Sequence, residues 1–131
     1  MPDPDGAPPL RVLVVDDDPA ARRALREALS RAPAMMIAAE AATGAAGVSA
    51  ADDADPDVVV IDADMPEVDG VEATRRLHEL APELPIVAIS GHDYEERVLE
   101  IRDAGASDYV RKSRVEEDLP AALLALVRVR G

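Results

Sequence analysis

Four apolar runs of this chain end at residues whose side chains could take part in chemistry. Aspartates follow the first two of these runs, a serine follows the third, and a lysine lies just after the fourth. The residues are Asp16, Asp17, Asp18, Asp62, Asp64, Ser90 and Lys112, the only lysine among 14 basic residues. Carboxylates, a hydroxyl and an ammonium group are the set of groups that a metal ion and a phosphoryl group would need.

The elements that must position these residues alternate between strand and helix five times. Predicted strands cover residues 12–15, 35–39, 58–61, 85–89 and 107–110, and predicted helices cover residues 20–31, 43–53, 71–80, 92–104 and 119–129. The apolar runs Val58–Ile61 and Pro85–Ile89 lack alternation, which is typical of strands buried on both faces. The pattern predicts an α/β fold, a flavodoxin-like doubly wound sheet of five parallel strands in the order 2-1-3-4-5 with helices on both faces.

In such a sheet, ligands bind beyond the carboxyl ends of the strands, near the point where the strand order reverses. The first and third strands flank that point, so we expect Asp16, Asp17 and Asp62 to lie close together. Two carboxylates ~4 Å apart repel by roughly 4 kcal/mol at an effective dielectric constant of about 20, so a cation or a proton must neutralise the cluster. Oxygen ligands without His or Cys favour Mg²⁺ or Mn²⁺, and such a site with Lys112 and Ser90 nearby suits in-line attack of a carboxylate on phosphorus.

Length and composition restrict the class of protein. A chain of 131 residues fits one domain, and its net charge of −13 argues against binding to a nucleic-acid backbone or an anionic membrane. The absence of cysteine excludes disulfides, thiol nucleophiles and thiolate metal sites, and it fits a cytoplasmic location. We expect residues 1–9, rich in Pro and Asp, to be a disordered lead-in, and residues 10–131 to form the domain.

Four segments closely resemble the motifs of one family, the receiver domain of bacterial two-component response regulators, and the resemblance extends from Arg11 to Gly131. Val12–Pro19 resembles the acidic-pair motif of that family and Pro56–Gly70 its phosphoacceptor motif. The strand that ends in the switch hydroxyl corresponds to Pro85–Ser90, and the lysine motif corresponds to Gly105–Lys112.

The resemblance implies a role for each matching residue. Asp62 would be the nucleophile that takes a phosphoryl group from a sensor histidine kinase. Asp16, Asp17, the Asp62 carboxylate and the backbone carbonyl of Asp64 would hold Mg²⁺, and Lys112 would pair with the acyl phosphate. The domain would then be a signalling switch and not an enzyme acting on other substrates.

Two further residues would carry the signal, and three positions depart from the common pattern or stay open. Ser90 would swing to the phosphoryl group, and Tyr109 would follow it inward. Ser113 follows the lysine where many receivers have proline, which leaves the peptide geometry there open. Asp64 is either a solvated loop acid or a residue that controls hydrolysis of the phosphorylated form, and His92 is either a helix-start residue or a second residue tuning that rate.

Other residues have structural interpretations. Asp18 with Pro19 predicts an N-cap and a first helical residue, and His78 is expected on the surface.

The last segment is similar to the final receiver helix of LuxR-type transcriptional regulators. Two interpretations stay open, an excised receiver and a complete single-domain regulator, and we expect the first. A DNA-binding output domain would then follow Gly131, and contact with DNA would come only through that absent domain. The resemblance also points to a homodimer, formed through the face built by the fourth helix, fifth strand and fifth helix or through another helical face.

Two alternatives remain at this point. One is an unphosphorylated pseudo-receiver that acts only as an interaction module. The other is a haloacid-dehalogenase-like phosphatase, because the strand before Asp62 and Asp64 also fits an Asp-x-Asp motif. Against the phosphatase stand Pro66, where that family has a small hydroxyl residue, and the short chain.

Overall fold

The computed structural model describes residues 8–32, 34–66, 69–91 and 95–130. The strands are β1 (Leu10–Val15), β2 (Met35–Ala41), β3 (Val58–Asp62), β4 (Ile86–Ser90) and β5 (Asp108–Arg111). The helices are α1 (Pro19–Ser30), α2 (Gly44–Ala54), α3 (Asp69–Leu80), α4 (Glu95–Asp103) and α5 (Val115–Arg130), and a 3-10 turn at Lys112–Arg114 precedes the last of them.

The five strands form one parallel sheet in the order β2-β1-β3-β4-β5, which confirms the predicted topology. Successive side chains of a strand point to opposite sides of the sheet. On each side they pack against helices, so both faces are covered. Leu13, Val59 and Ile61 pack on one side with residues of α3 and α4. Val12 and Val60 pack on the other side with residues of α1 and α5. β-Branched runs without alternation are what a doubly covered strand requires.

The helix and strand boundaries follow local signals at several places. The Asp18 side chain accepts a hydrogen bond from the backbone N–H of Ala20, and Pro19 opens α1, so the predicted N-cap is confirmed. Thr43 caps α2 in the same way through the N–H of Ala46. Gly105 follows α4 with a φ of +126°, a conformation that favours glycine, and thereby ends that segment.

Several boundaries differ from the prediction by two residues or more, including the start of β1 at Leu10 and not at Val12. The closing helix begins at Val115 and not at Leu119, since the acidic residues before Pro120 lie in the first turn, where the helix dipole favours them. The edge strand β2 continues to Ala41, because it pairs with β1 along that whole length. α3 begins at Asp69, two residues before the predicted start.

Two further observations concern the surroundings of the sheet. No cis peptide bond occurs among the described residues, so the Lys112–Ser113 peptide is trans and leads directly into the 3-10 turn. Within the part of the chain that the structure describes, no helix combines the length and the hydrophobicity that crossing a bilayer requires.

Candidate functional site

Three carboxylates meet at the carboxyl ends of β1 and β3. Asp16 and Asp17 directly follow β1, and Asp62 is the last residue of β3, the neighbouring strand. One oxygen from each side chain lies within 4.8 Å of the other two. Asp16 and Asp62 are only 2% and 4% exposed, whereas Asp17 faces solvent. The predicted convergence of these three residues is therefore present, with an open side at Asp17.

Backbone and side-chain contacts hold Asp16 in place. Its Oδ1 accepts a hydrogen bond from the N–H of Asp18 at 2.9 Å, and its own N–H donates to the carbonyl of Ala41 at 3.0 Å. Arg22 on α1 donates from Nη1 to the Asp16 carbonyl at 2.6 Å. Thus the residue that caps α1 also orients the first carboxylate of the cluster.

The electrostatic environment of the cluster disfavours negative charge on Asp16. Burial, with smaller contributions from the carboxylates of Asp62 and Asp17, raises the pKa of Asp16 to about 6. The Asp18 N–H and the Lys112 ammonium act in the opposite direction without cancelling that effect. A cation among the three carboxylates would relieve this repulsion.

Lys112 is the cation that the chain itself supplies to the cluster. Its Nζ lies 3.4 Å from Oδ1 of Asp62, and the same oxygen accepts a hydrogen bond from the Asp64 N–H at 2.8 Å. Although partial burial lowers the pKa of Lys112, the carboxylates of Asp62, Asp16 and Asp64 together raise it above its ordinary value. Lys112 is therefore a fixed positive charge beside Asp62.

The Asp64 side chain contacts the end of β4. Its carboxylate accepts hydrogen bonds from Ser90 Oγ, at 2.9 and 3.1 Å to its two oxygens, and from the Gly91 N–H at 2.7 Å. Its Oδ2 also lies 4.0 Å from Lys112 Nζ, and the side chain is 16% exposed. The interpretation of Asp64 as a solvated loop acid is wrong, because the loop turns this side chain towards β4 and β5.

The remaining predicted residues lie around this group or outside the described residues. Ser90 is fully buried at the end of β4. Tyr109 is half-buried on β5, where it pairs with Ala88 of β4. His78 is exposed on α3, as predicted. His92 lies outside the described residues.

Besides Arg22, three further contributors to the site had no role assigned from the sequence. The Gly91 N–H donates to Asp64, and Arg97 of α4 donates from Nη1 to the Ala63 carbonyl at 3.3 Å. Gly70 in α3 lies so close to β3 that a Cβ on it would be 2.3 Å from the Asp62 carbonyl oxygen. Gly70 had a sequence signal, as the glycine that ends the segment Pro56–Gly70, whereas the contacts of Gly91 and Arg97 depend on where β4 and α4 lie.

Comparisons with known proteins agree with this geometry. Residues 12–124 match the response regulator receiver domain family. Response regulator MprA of Mycolicibacterium vanbaalenii is 41% identical over 92% of this chain and 51% of its own length. The nitrate/nitrite response regulator protein NarL of Escherichia coli is 34% identical over 88% of this chain and 53% of its own length.

A solved structure shows the same fold. It is a two-component response regulator of the LuxR family from Aurantimonas sp., with a TM-score of 0.86 and 32% identity, covering 93% of this chain and 87% of the solved one. The chain thus spans about half the length of the two curated relatives and 87% of the solved LuxR-family chain. The family match sets aside the dehalogenase-like phosphatase. With four receiver motifs on one sheet edge and a family match over most of its length, the chain belongs to the response regulator receiver domains.

Proposed function

We propose that this receiver domain is a phosphorylation switch in which Asp62 takes a phosphoryl group from the phosphohistidine of a sensor histidine kinase. One observation carries the proposal. The buried Asp62 carboxylate contacts Lys112 and lies within reach of two further carboxylates at the edge of the sheet where ligands bind. Membership in the receiver family supports the same role for the domain.

The donor set fits a magnesium ion. Asp16, Asp17 and Asp62 supply carboxylate oxygens only, with Asp17 open to solvent, and Mg²⁺ prefers oxygen ligands and retains waters. Burial, together with repulsion from the Asp62 and Asp17 carboxylates, raises the pKa of Asp16, and this is a second reason to place a cation here. These three side chains and the backbone carbonyl of Asp64 would hold Mg²⁺ or Mn²⁺. When bound, the ion neutralises charge on the oxygens of the transferring phosphoryl group.

The residues of the chain perform the rest of the reaction. An oxygen of the Asp62 carboxylate attacks phosphorus, a P–O bond forms, the P–N bond to the kinase histidine breaks, and the imidazole nitrogen keeps the electron pair. The Asp64 N–H and Lys112 hold the carboxylate in one orientation through its Oδ1. Lys112 also neutralises part of the charge on the product.

Phosphorylation would be transmitted through β4 and β5. A phosphoryl group adds about −1.5 to −2 charges, which creates partners for the Ser90 hydroxyl and Lys112. Ser90 ends β4 and pairs with Arg111 of β5, so a shift of Ser90 reaches the strand that carries Tyr109. Tyr109 would turn inward, and the surface formed by α4, β5 and α5 would change its affinity for a second copy of the domain.

The similarity to NarL, MprA and a LuxR-family regulator suggests the biological setting. This domain would act in the cytoplasm as the receiver of a longer transcriptional regulator, and a DNA-binding domain would be its output. The strongly acidic receiver itself would not contact DNA.

The decisive experiment is phosphorylation of the purified domain with acetyl phosphate and Mg²⁺, followed by mass spectrometry. We expect a gain of one phosphoryl group that is absent in Asp62→Asn and present in the control Asp53→Asn, which removes an exposed charge on α2. An unmodified wild-type domain would support the pseudo-receiver alternative instead.

A further inference from the structure

The Asp64 carboxylate accepts hydrogen bonds from groups that belong to the proposed phosphorylation site. Ser90 Oγ and the Gly91 N–H both donate to it, and Lys112 Nζ lies 4.0 Å away. The hydroxyl, the amide and the ammonium come from β4, from the residue after it and from the residue after β5. Three donors from two neighbouring strands therefore surround one anionic side chain.

An anion attached to Asp62 would need the same donors. Lys112 already contacts both carboxylates, at 3.4 Å from Asp62 and 4.0 Å from Asp64. Asp62 and Asp64 are joined as well, because the Asp64 N–H donates to Oδ1 of Asp62 at 2.8 Å. The Asp64 side chain thus stands beside the acceptor carboxylate and uses the hydroxyl that the phosphorylated form would require.

We propose that the Asp64 carboxylate is a built-in competitor of the phosphoryl group. In the unphosphorylated domain it satisfies Ser90, Gly91 and Lys112, and it has to leave them before a phosphoryl group on Asp62 can use them. This inference rests on the proposed phosphoacceptor role of Asp62. It adds that the side chain of Asp64, two residues after the acceptor, sets how strongly the domain resists the change caused by phosphorylation.

Displacing the Asp64 carboxylate makes phosphorylation of Asp62 less favourable in free energy for two reasons. Hydrogen bonds to an ionised carboxylate are stronger than bonds between neutral groups, so the displaced contacts oppose phosphorylation. The displaced carboxylate also stays close, since its backbone is held by Asp62, and it repels the new negative charge. Removing the charge of Asp64 while keeping its shape lowers both costs.

The test uses beryllofluoride with Mg²⁺ as a phosphoryl analogue and compares Asp64→Asn with wild type. We expect the apparent dissociation constant for beryllofluoride to fall by about tenfold, which is the size expected for one displaced charge-assisted contact. The control Asp53→Asn removes the same charge from an exposed site on α2 and should leave the constant unchanged.

A second measurement separates competition from simple charge repulsion. In the metal-free, unphosphorylated domain, Asp64→Ala should move the amide proton resonance of Gly91 upfield and speed its exchange with solvent, because its hydrogen-bond acceptor is gone. Asp53→Asn should do neither. Tighter beryllofluoride binding with an unchanged Gly91 resonance would overturn the proposal in favour of repulsion alone.

The remaining outcomes are distinct. If wild type binds beryllofluoride and Asp64→Asn binds it no more tightly, the competitor role is wrong while the phosphoacceptor role of Asp62 stands. If neither protein binds beryllofluoride and acetyl phosphate leaves Asp62 unmodified, both proposals fail.

Discussion

At the scale of single residues, the positive charge beside the carboxylates of the site comes from a lysine, whereas every other basic residue of the chain is an arginine. Lys112 is the only lysine, and its Nζ lies 3.4 Å from Asp62 and 4.0 Å from Asp64. Its side chain passes close to Gly91, where an added Cβ would be 3.4 Å from Lys112 Cδ. An ammonium group on a flexible stem fits this space, whereas a planar guanidinium needs more room and a different donor geometry.

We therefore predict that Lys112→Arg leaves Asp62 open to phosphorylation by acetyl phosphate but weakens the switch. The proposed nucleophile and the expected metal ligands are untouched. A charge-assisted contact worth ~1.5 kcal/mol is misplaced, which corresponds to a roughly tenfold shift of the switch equilibrium. The measurement is the change in the NMR signals of Tyr109 on phosphorylation, with Arg114→Lys as the control. A full-sized change at Tyr109 in Lys112→Arg would refute this expectation.

Residue types and positions at the strand ends were predictable, but the contacts of Asp64 were not. Carboxyl ends of parallel strands share one edge, so Asp16, Asp17 and Asp62 had to meet there. The rotamer of Asp64 depends instead on where β4 and the following amide lie, which local sequence does not encode. The same holds for Arg97, whose bond to the Ala63 carbonyl depends on the placement of α4.

At the scale of elements, the contact between α3 and β3 determines how the strand that carries Asp62 is supported. Gly70 lies against the Asp62 backbone, and the Gly70 carbonyl accepts a hydrogen bond from buried Thr74 at 2.7 Å. A methyl group at Gly70 would meet the Asp62 carbonyl oxygen at 2.3 Å and the Ala63 Cα at 3.2 Å. Because both atoms belong to the backbone, no side-chain rotation relieves the clash.

Gly70→Ala should therefore lower the free energy of unfolding by about 1–3 kcal/mol, the usual cost of overpacking, and should also slow phosphorylation at Asp62. Urea unfolding and the rate of the acetyl phosphate reaction measure the two effects. Arg76→Ala, at an exposed position of the same helix, serves as the control and should change neither. Wild-type stability in Gly70→Ala would show that α3 moves away from β3 without cost.

Element boundaries were predictable where a local signal decides them. Asp18 with Pro19 marks the start of α1, and the structure places the N-cap there. The prediction for α5 began too late, at Leu119, where the apolar face of the helix begins, and Pro120 lies inside the helix. The earlier start of α5 follows from acidic residues at its N-terminus and from the 3-10 turn that leads into it.

At the scale of the whole molecule, the net charge of −13 has a local component that affects stability. Asp16 has a pKa of about 6 in the folded domain against an ordinary value of 3.8. Between these two values the folded state holds a proton that the unfolded state has released, so the contribution of Asp16 to stability falls as the pH rises through this window. Above pH 6, its charge destabilises the metal-free fold.

We predict that Asp16→Asn stabilises the metal-free domain at pH 7 by on the order of 1–2 kcal/mol, and that the gain shrinks as the pH falls towards 4. Asparagine keeps an oxygen that can accept the Asp18 N–H and removes the charge. Urea unfolding in the presence of a chelator at both pH values measures the difference, with Asp53→Asn as the control. An equal gain at both pH values would contradict the assignment to Asp16 ionisation.

The fold as a whole was the most predictable feature, because strand–helix alternation with doubly buried strands leaves few topologies. The same topology has a consequence for folding while the chain is being synthesised. Asp16, Asp62 and Lys112 lie far apart along the chain and meet only when β1, β3 and β5 have joined the sheet. A nascent chain that has emerged only as far as α4 has no lysine, so the proposed site is complete only after the last strand has docked.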